Sequence, residues 1–169
     1  MVEHPGIRVM TSTSPRMSAE ARIAELHITL PPAPKPMGLY KPLVVAEGIA
    51  YVSGHGPLCA DKTLITGVVG RDLSIEEGRA AARQAGLAIL ATIRAQFGSL
   101  DSVRRVVKLF GMVNSAPDFH SHPKVIDGCS ELFAEIWGME NGVGARSAVG
   151  MAALPAGIAV EIEAVFELN

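Results

Sequence analysis

Two ionisable residues near the C-terminus have the type and setting to do chemistry. Arg146 offers a planar guanidinium whose paired N–H groups match a carboxylate, binding and orienting it through charge-assisted hydrogen bonds. Glu161 stands between Val160 and Ile162, where a carboxylate is costly unless it is paired or opens onto a cleft. Burial there raises its pKa toward the range useful to a general base, and a nearby Arg146 opposes that rise. The plainer reading of both residues is a structural ion pair, Arg146 with Glu161 or Glu163.

Other reactive types are less well placed. His55, in Ser53-Gly54-His55-Gly56-Pro57, either binds a ligand or acts as an acid/base near neutral pH, or is a polar turn residue. His120 and His122 fall short of the three or four ligands of a functional zinc site, and adjacent Pro123 marks a loop or helix entry, so no metal is expected. Cys59 and Cys129 form no CxxC and lie in apolar or turn-like settings, so they read as reduced core residues of a cytoplasmic protein. Gly67-Val-Val-Gly70 lacks the lysine and hydroxyl residue of a phosphate loop.

Positioning these residues takes a small set of elements. Residues 1–17 are Ser/Thr/Pro-rich with no apolar period and read as a flexible leader, or as sequence upstream of a start at Met17. Residues 18–169 form one domain, opened by an arm over 18–36 that holds a Ser18-capped helix, Ala19 to Leu26. Leu43–Ala46 and Ile49–Ser53 flank Glu47-Gly48 as a hairpin, and Thr63–Val69 reads as a further short strand. Ser74-Ile-Glu-Glu77 is a capping box that starts a helix ending at Gly98, whose Ala81, Ala85, Ala88, Ile89, Thr92 and Ile93 make a flat face for a sheet. Val103–Val113 is a β-branched strand, His120–Trp137 a helix closed by Gly138, and Arg146–Ala152 and Ala159–Glu167 are strands. In the last, Ile158, Val160, Ile162, Ala164 and Phe166 alternate with Ala159, Glu161, Glu163, Val165 and Glu167. The pattern implies an α+β domain with a mixed sheet and two main helices on one face, leaving the other face for something outside the chain.

Composition excludes several classes. The 169 residues are 49% hydrophobic and 19% charged, with a mean hydropathy of +0.29, so the chain can bury enough apolar area to fold. The longest stretch free of Asp, Glu, Lys and Arg, Ser147–Val160, has 14 residues and is interrupted by Gly150, Pro155 and Gly157. A helical membrane span needs ~20 apolar residues, so no membrane partner is expected. A net charge of −2 without a clustered basic footprint, and 5% aromatics, argue against nucleic acid as a partner.

Gly38-Leu-Tyr40, Tyr51-Val-Ser-Gly54 with Pro57, Ala145-Arg146-Ser147-Ala148-Val149 and Leu154-Pro155 leading into Val160-Glu161-Ile162-Glu163-Ala164 resemble the Rid family. That family is also called RidA/YjgF or L-PSP endoribonuclease, and the resemblance covers about Leu30 to Leu168. It implies a chorismate-mutase-like fold, a homotrimer with a central β-barrel, and small-molecule sites in the clefts between subunits. The implied activity is hydrolysis of reactive enamines and imines to a 2-keto acid and ammonia without a cofactor. Arg146 would grip the substrate carboxylate and Glu161 would orient or activate water. Tyr40, Ser53, Gly54 and His55 match positions lining the pocket; read alone, Tyr40 is a core aromatic and Ser53 a strand-end turn residue.

The helical arm and Val113-Asn-Ser-Ala-Pro-Asp-Phe119 look like a branch distinct from RidA itself. Two departures bear on the site. Ala148 replaces a family cysteine, which removes a thiol, and Asp127 aligns with a family asparagine, adding a negative charge that repels a substrate carboxylate if it faces the site. They keep a second reading open, a non-catalytic small-ligand sensor on the same trimer. A ribonuclease, suggested by the older family name, is disfavoured by the charge and the absence of a His/Lys/His set.

Overall fold

The capping box at Ser74 forms as the sequence dictates. Ser74 Oγ accepts from Glu77 N at 3.2 Å, and Glu77 Oε2 accepts from Ser74 N at 2.7 Å. Helix α2 (Ile75–Phe97) then runs to Gly98, which takes φ +79°, a left-handed value that glycine adopts without the steric penalty of a Cβ. All six residues expected to make its packing face are buried.

The structure, a computed structural model, describes residues 17–169, so the expectation of a leader falls almost wholly outside the described residues. The other elements are α1 (Ala19–Glu25), β1 (Leu43–Ala46), β2 (Ile49–His55), β3 (Val103–Asn114), α3 (His122–Gly142), β4 (Ala145–Met151) and β5 (Val160–Leu168). The strands form one mixed sheet in the order β1-β2-β5-β3-β4, antiparallel except for the β3–β4 pair. Helices α2 and α3 pack together over one face of it, on the Val160, Ile162, Ala164 and Phe166 side of β5. Phe133, Trp137 and Phe166 meet edge-on or tilted at the centre of that core.

The opposite sheet face carries no helix among the described residues and exposes Tyr51, Val107 and Val149. The arm is docked: Glu20 accepts from Arg94 and from Leu100 N, and Arg22 Nε donates to Glu135 O at 2.9 Å.

Two local expectations are corrected. Thr63–Val69 is not a strand but a loop tied down by isolated bridges, Thr66 to Ile158 and Val69 to Leu73 and Ser115. Gly67 (φ +128°) turns the chain within it and Gly70 (φ +88°) just after it, which a continuous β ladder does not allow. The second long helix starts at His122 rather than His120. Gly138 does leave the helical region (φ +77°, ψ 166°), yet a further helical turn follows it to Gly142.

Candidate functional site

One extra residue in β2 shapes the site. Val52 pairs with Ala164, but His55, not Gly54, pairs with Ile162, so Ser53 and Gly54 form a bulge. Because strand side chains alternate, a one-residue slip reverses the face of everything beyond it. His55 is thereby turned into the core. Its Nδ1 lies 2.6 Å from Ser53 O and its Nε2 2.7 Å from Thr92 Oγ1 on α2, and the residue is only 4% exposed. A carbonyl can only accept, so Nδ1 carries the proton and Nε2 accepts from the threonine hydroxyl. Desolvation lowers the pKa of this histidine, outweighing its bond to the Ser53 carbonyl, and keeps it neutral. Of the roles open to His55, acid/base at the site is the one its geometry does not favour, since both ring nitrogens are committed to protein partners.

The same bulge makes room for Glu161. A Cβ at Gly54 would stand 1.9 Å from Glu161 Oε1, so the carboxylate rests directly over the glycine backbone. Glu161 has no hydrogen-bond or ion-pair partner among the described residues. Burial raises its pKa above the ordinary glutamate value, and the like charge of Glu163, on the same face of β5, raises it further.

The opposition expected from Arg146 is absent, because Arg146 lies on the other face of the sheet. Arg146 pairs in register with Leu109, and Leu109 with Ala164, which places it on the helix side. Glu161 pairs with Met112, and Met112 with Val149, on the open side. The ion pair of Arg146 with Glu161 or Glu163 is corrected on the same ground.

Glu161, His55, Gly54, Ser53 and Tyr40 converge on one cleft of about 670 Å³, to which Lys35 and Lys62 also contribute. Ser53 Oγ donates to Lys41 O at 2.7 Å, and Ser53 N donates to Pro42 O at 3.0 Å, which pins the segment carrying Tyr40 beside the bulge. Tyr40 is half exposed, not a core aromatic, and its hydroxyl oxygen accepts from Met37 N at 3.4 Å. Leu39, next to it in sequence, is fully exposed.

The β4 edge of the sheet holds the second half of the expected site. Arg146 Nη1 donates to Asp127 Oδ1 at 2.7 Å and to Ser130 Oγ at 3.0 Å, both on α3. Asp127 therefore does face Arg146, as its partner. Nε and Nη2 have no partner among the described residues.

Further along this edge Ser115 Oγ and His122 Nε2 are 3.0 Å apart, and a side chain at Gly150 would collide with both. Cys129 is fully buried and its thiol pKa is pushed up by burial; Cys59 is half-buried, and neither forms a disulfide. Among the described residues no group of three or more His, Cys, Asp or Glu is placed to hold a metal, and no helix is long and apolar enough to cross a membrane.

Sequence reasoning missed Ser130, Thr92 and the two lysines. Ser130 was within reach, since it lies three residues beyond Asp127 and hence on the same helix face. Thr92 and the lysines carry no local signal of their partners.

Comparison with known proteins agrees with this architecture. The chain is 42% identical to Protein TCP17 of Trypanosoma cruzi over 149 residues, covering 88% of this chain and 93% of that protein. A protein of unknown function from Agrobacterium tumefaciens has a crystal structure that superposes with a TM-score of 0.80 at 41% identity, covering 89% of this chain and 94% of that one. A putative endoribonuclease from Shewanella oneidensis superposes at 0.85 with 29% identity, covering 90% and 100%. RidA from an Antarctic Psychrobacter species is more distant, at 0.57 and 28% identity, covering 80% and 94%. The model of the YjgF/chorismate-mutase-like, putative endoribonuclease family matches residues 20–159, and the chain belongs to that family.

Proposed function

We propose that this chain is the protomer of a homotrimer that binds small carboxylate-bearing imines or enamines and hydrolyses them to a 2-keto acid and ammonia. The observation that carries the reading is a pair of complementary half-sites on opposite faces of one sheet. One is the unpaired carboxylate of Glu161 in a cleft, and the other is a guanidinium with its Nε and Nη2 edge open. Packing the helix-free faces of three copies into a barrel sets the β4 edge of one subunit against the cleft of the next, and covers Tyr51, Val107 and Val149.

In such a site Arg146 holds the substrate carboxylate, and Glu161 of the adjoining copy accepts a proton from water as the oxygen attacks the C=N carbon. An enamine first takes a proton from solvent at its β-carbon to become the protonated imine, the iminium. Glu161 returns the proton it took from water to the nitrogen of the resulting neutral carbinolamine. As the C=O forms, ammonia leaves and the hydroxyl proton passes to the Glu161 carboxylate, which releases it to solvent. The raised pKa of Glu161 suits this exchange, because a carboxyl poised nearer neutrality both takes and gives the proton.

A non-catalytic ligand-binding trimer is the second reading, favoured by Asp127 offsetting the charge of Arg146 and by Ala148 beside it. The deciding experiment generates 2-aminoacrylate with a serine dehydratase and follows keto-acid release with no added protein, with wild type, and with Arg146→Ala. Acceleration by wild type alone supports the hydrolase. Ligand binding that depends on Arg146, with no acceleration over several imine precursors, supports the second reading. RNA cleavage that survives both Arg146→Ala and Glu161→Ala would overturn both in favour of a nuclease.

A further inference from the structure

The charges around Arg146 bear on which carboxylates such a site prefers. Asp127 and Ser130 both accept from Nη1, so only the Nε and Nη2 edge is left to grip a ligand. The Asp127 side chain is 39% exposed, and its Oδ2 accepts no hydrogen bond among the described residues. A carboxylate seated on the free edge therefore has a protein carboxylate across the same guanidinium, roughly 5–6 Å away, close enough for like-charge repulsion to matter. Arg146 and Asp127 sum to zero charge, so a plain anion is oriented there but gains little net attraction. A ligand with a positive nitrogen on the carbon next to its carboxylate answers both groups, the anion to Arg146 and the cation to Asp127.

We propose, resting on the reading of Arg146 as the carboxylate grip, that Asp127 is a specificity-determining residue. It selects ligands with a cationic nitrogen beside the carboxylate, such as a protonated α-imino acid or an α-amino acid, over plain carboxylates and 2-keto acids. The consequence for the hydrolysis is directional. The iminium is both the better electrophile and the favoured ligand, whereas the 2-keto acid product has lost the cation and is released against Asp127.

The test uses L-alanine and pyruvate, which share a carbon skeleton and differ in ammonium against keto oxygen. Dissociation constants are measured on the full chain by ligand-observed NMR for wild type, Asp127→Asn, Asp127→Ala and Arg146→Ala. Wild type is expected to bind alanine more tightly. Both Asp127 variants are expected to bind pyruvate about tenfold more tightly without gaining for alanine, as removal of one like charge at this range implies. Arg146→Ala is expected to abolish binding of both. An alanine-to-pyruvate ratio unchanged in both Asp127 variants, with binding still dependent on Arg146, overturns the selectivity and leaves the carboxylate grip standing. Failure of wild type to bind either ligand, or binding indifferent to Arg146→Ala, overturns the grip and the selectivity with it.

Discussion

Arg146 and Glu161 point to opposite faces of the same sheet. Register places Arg146 in the row of Leu109 and Ala164, and Glu161 in the row of Met112 and Val149, with β3 between their strands. Strand geometry separates their backbones by roughly 10 Å across the sheet and roughly 10 Å along it. One small ligand cannot touch both residues of a single copy, so any chemistry that needs the two requires two copies.

Mixing two inactive variants tests this directly. Arg146→Ala and Glu161→Gln are each expected to lose imine hydrolysis, and co-refolding them at equal amounts is expected to restore about a quarter of wild-type activity. Random cyclic trimers yield that fraction when each site takes one residue from each of two neighbours. No recovery despite confirmed mixed oligomers contradicts a site shared between copies.

The open face supplies a second prediction. Val149→Lys and Tyr51→Glu place charges where apolar side chains are now exposed, and are expected to reduce a mass of three times 17.8 kDa to one, with loss of activity. Light scattering coupled to gel filtration gives the answer. A wild-type chain that is an active monomer contradicts the trimer outright.

The pKa of Glu161 gives a pH profile and a stability sign. Hydrolysis is expected to rise with pH through a titration above the ordinary glutamate range, and Glu161→Gln is expected to lower turnover ~10²- to 10⁴-fold and abolish that limb. A carboxyl whose folded pKa is raised holds its proton more tightly folded than unfolded. Stability is therefore lost as pH climbs from the unfolded value through the folded one, and at pH 7 the charge is a liability. Glu161→Gln should consequently melt no lower than wild type at pH 7, and higher there relative to pH 4.

Gly54→Ala is expected to act through Glu161. The new methyl occupies the place of Oε1 and drives the carboxylate aside, so turnover should fall toward that of Glu161→Gln, and the two changes together should cost little more than one. The displaced atoms are the end of a flexible side chain, so thermal melting should move little. A fully active Gly54→Ala protein removes Glu161 from the mechanism.

His55 and Thr92 are expected to matter for stability. Thr92→Val leaves Nε2 buried without its donor, at a cost of about 1–3 kcal/mol in chemical denaturation. The folded pKa of His55 is lowered, so the unfolded chain binds its proton first. Stability should therefore fall as pH drops below 6.5 and level off once the folded pKa is passed. Replacing His55 with Gln should flatten that slope.

What the sequence determined by itself was set by near neighbours. The capping box at Ser74, the left-handed stop at Gly98 and the alternation along β5 are each written within a few residues, and each appears as written. The family motifs brought Ser53, Gly54, His55 and Glu161 to one cleft, because they lie on two strands that pair directly, and Tyr40 joins them through the segment tied to Ser53.

The tertiary structure decided what depends on register between distant strands. One bulge residue left His55 lining the cleft while committing its ring to partners in the core, and a parallel β3–β4 pair put Arg146 on the face opposite Glu161. The packing of α3 on β4 then gave Arg146 the partner Asp127, 19 residues away, in place of the glutamates of β5. A side chain's face reverses with every residue of slip, and no local pattern records the slip.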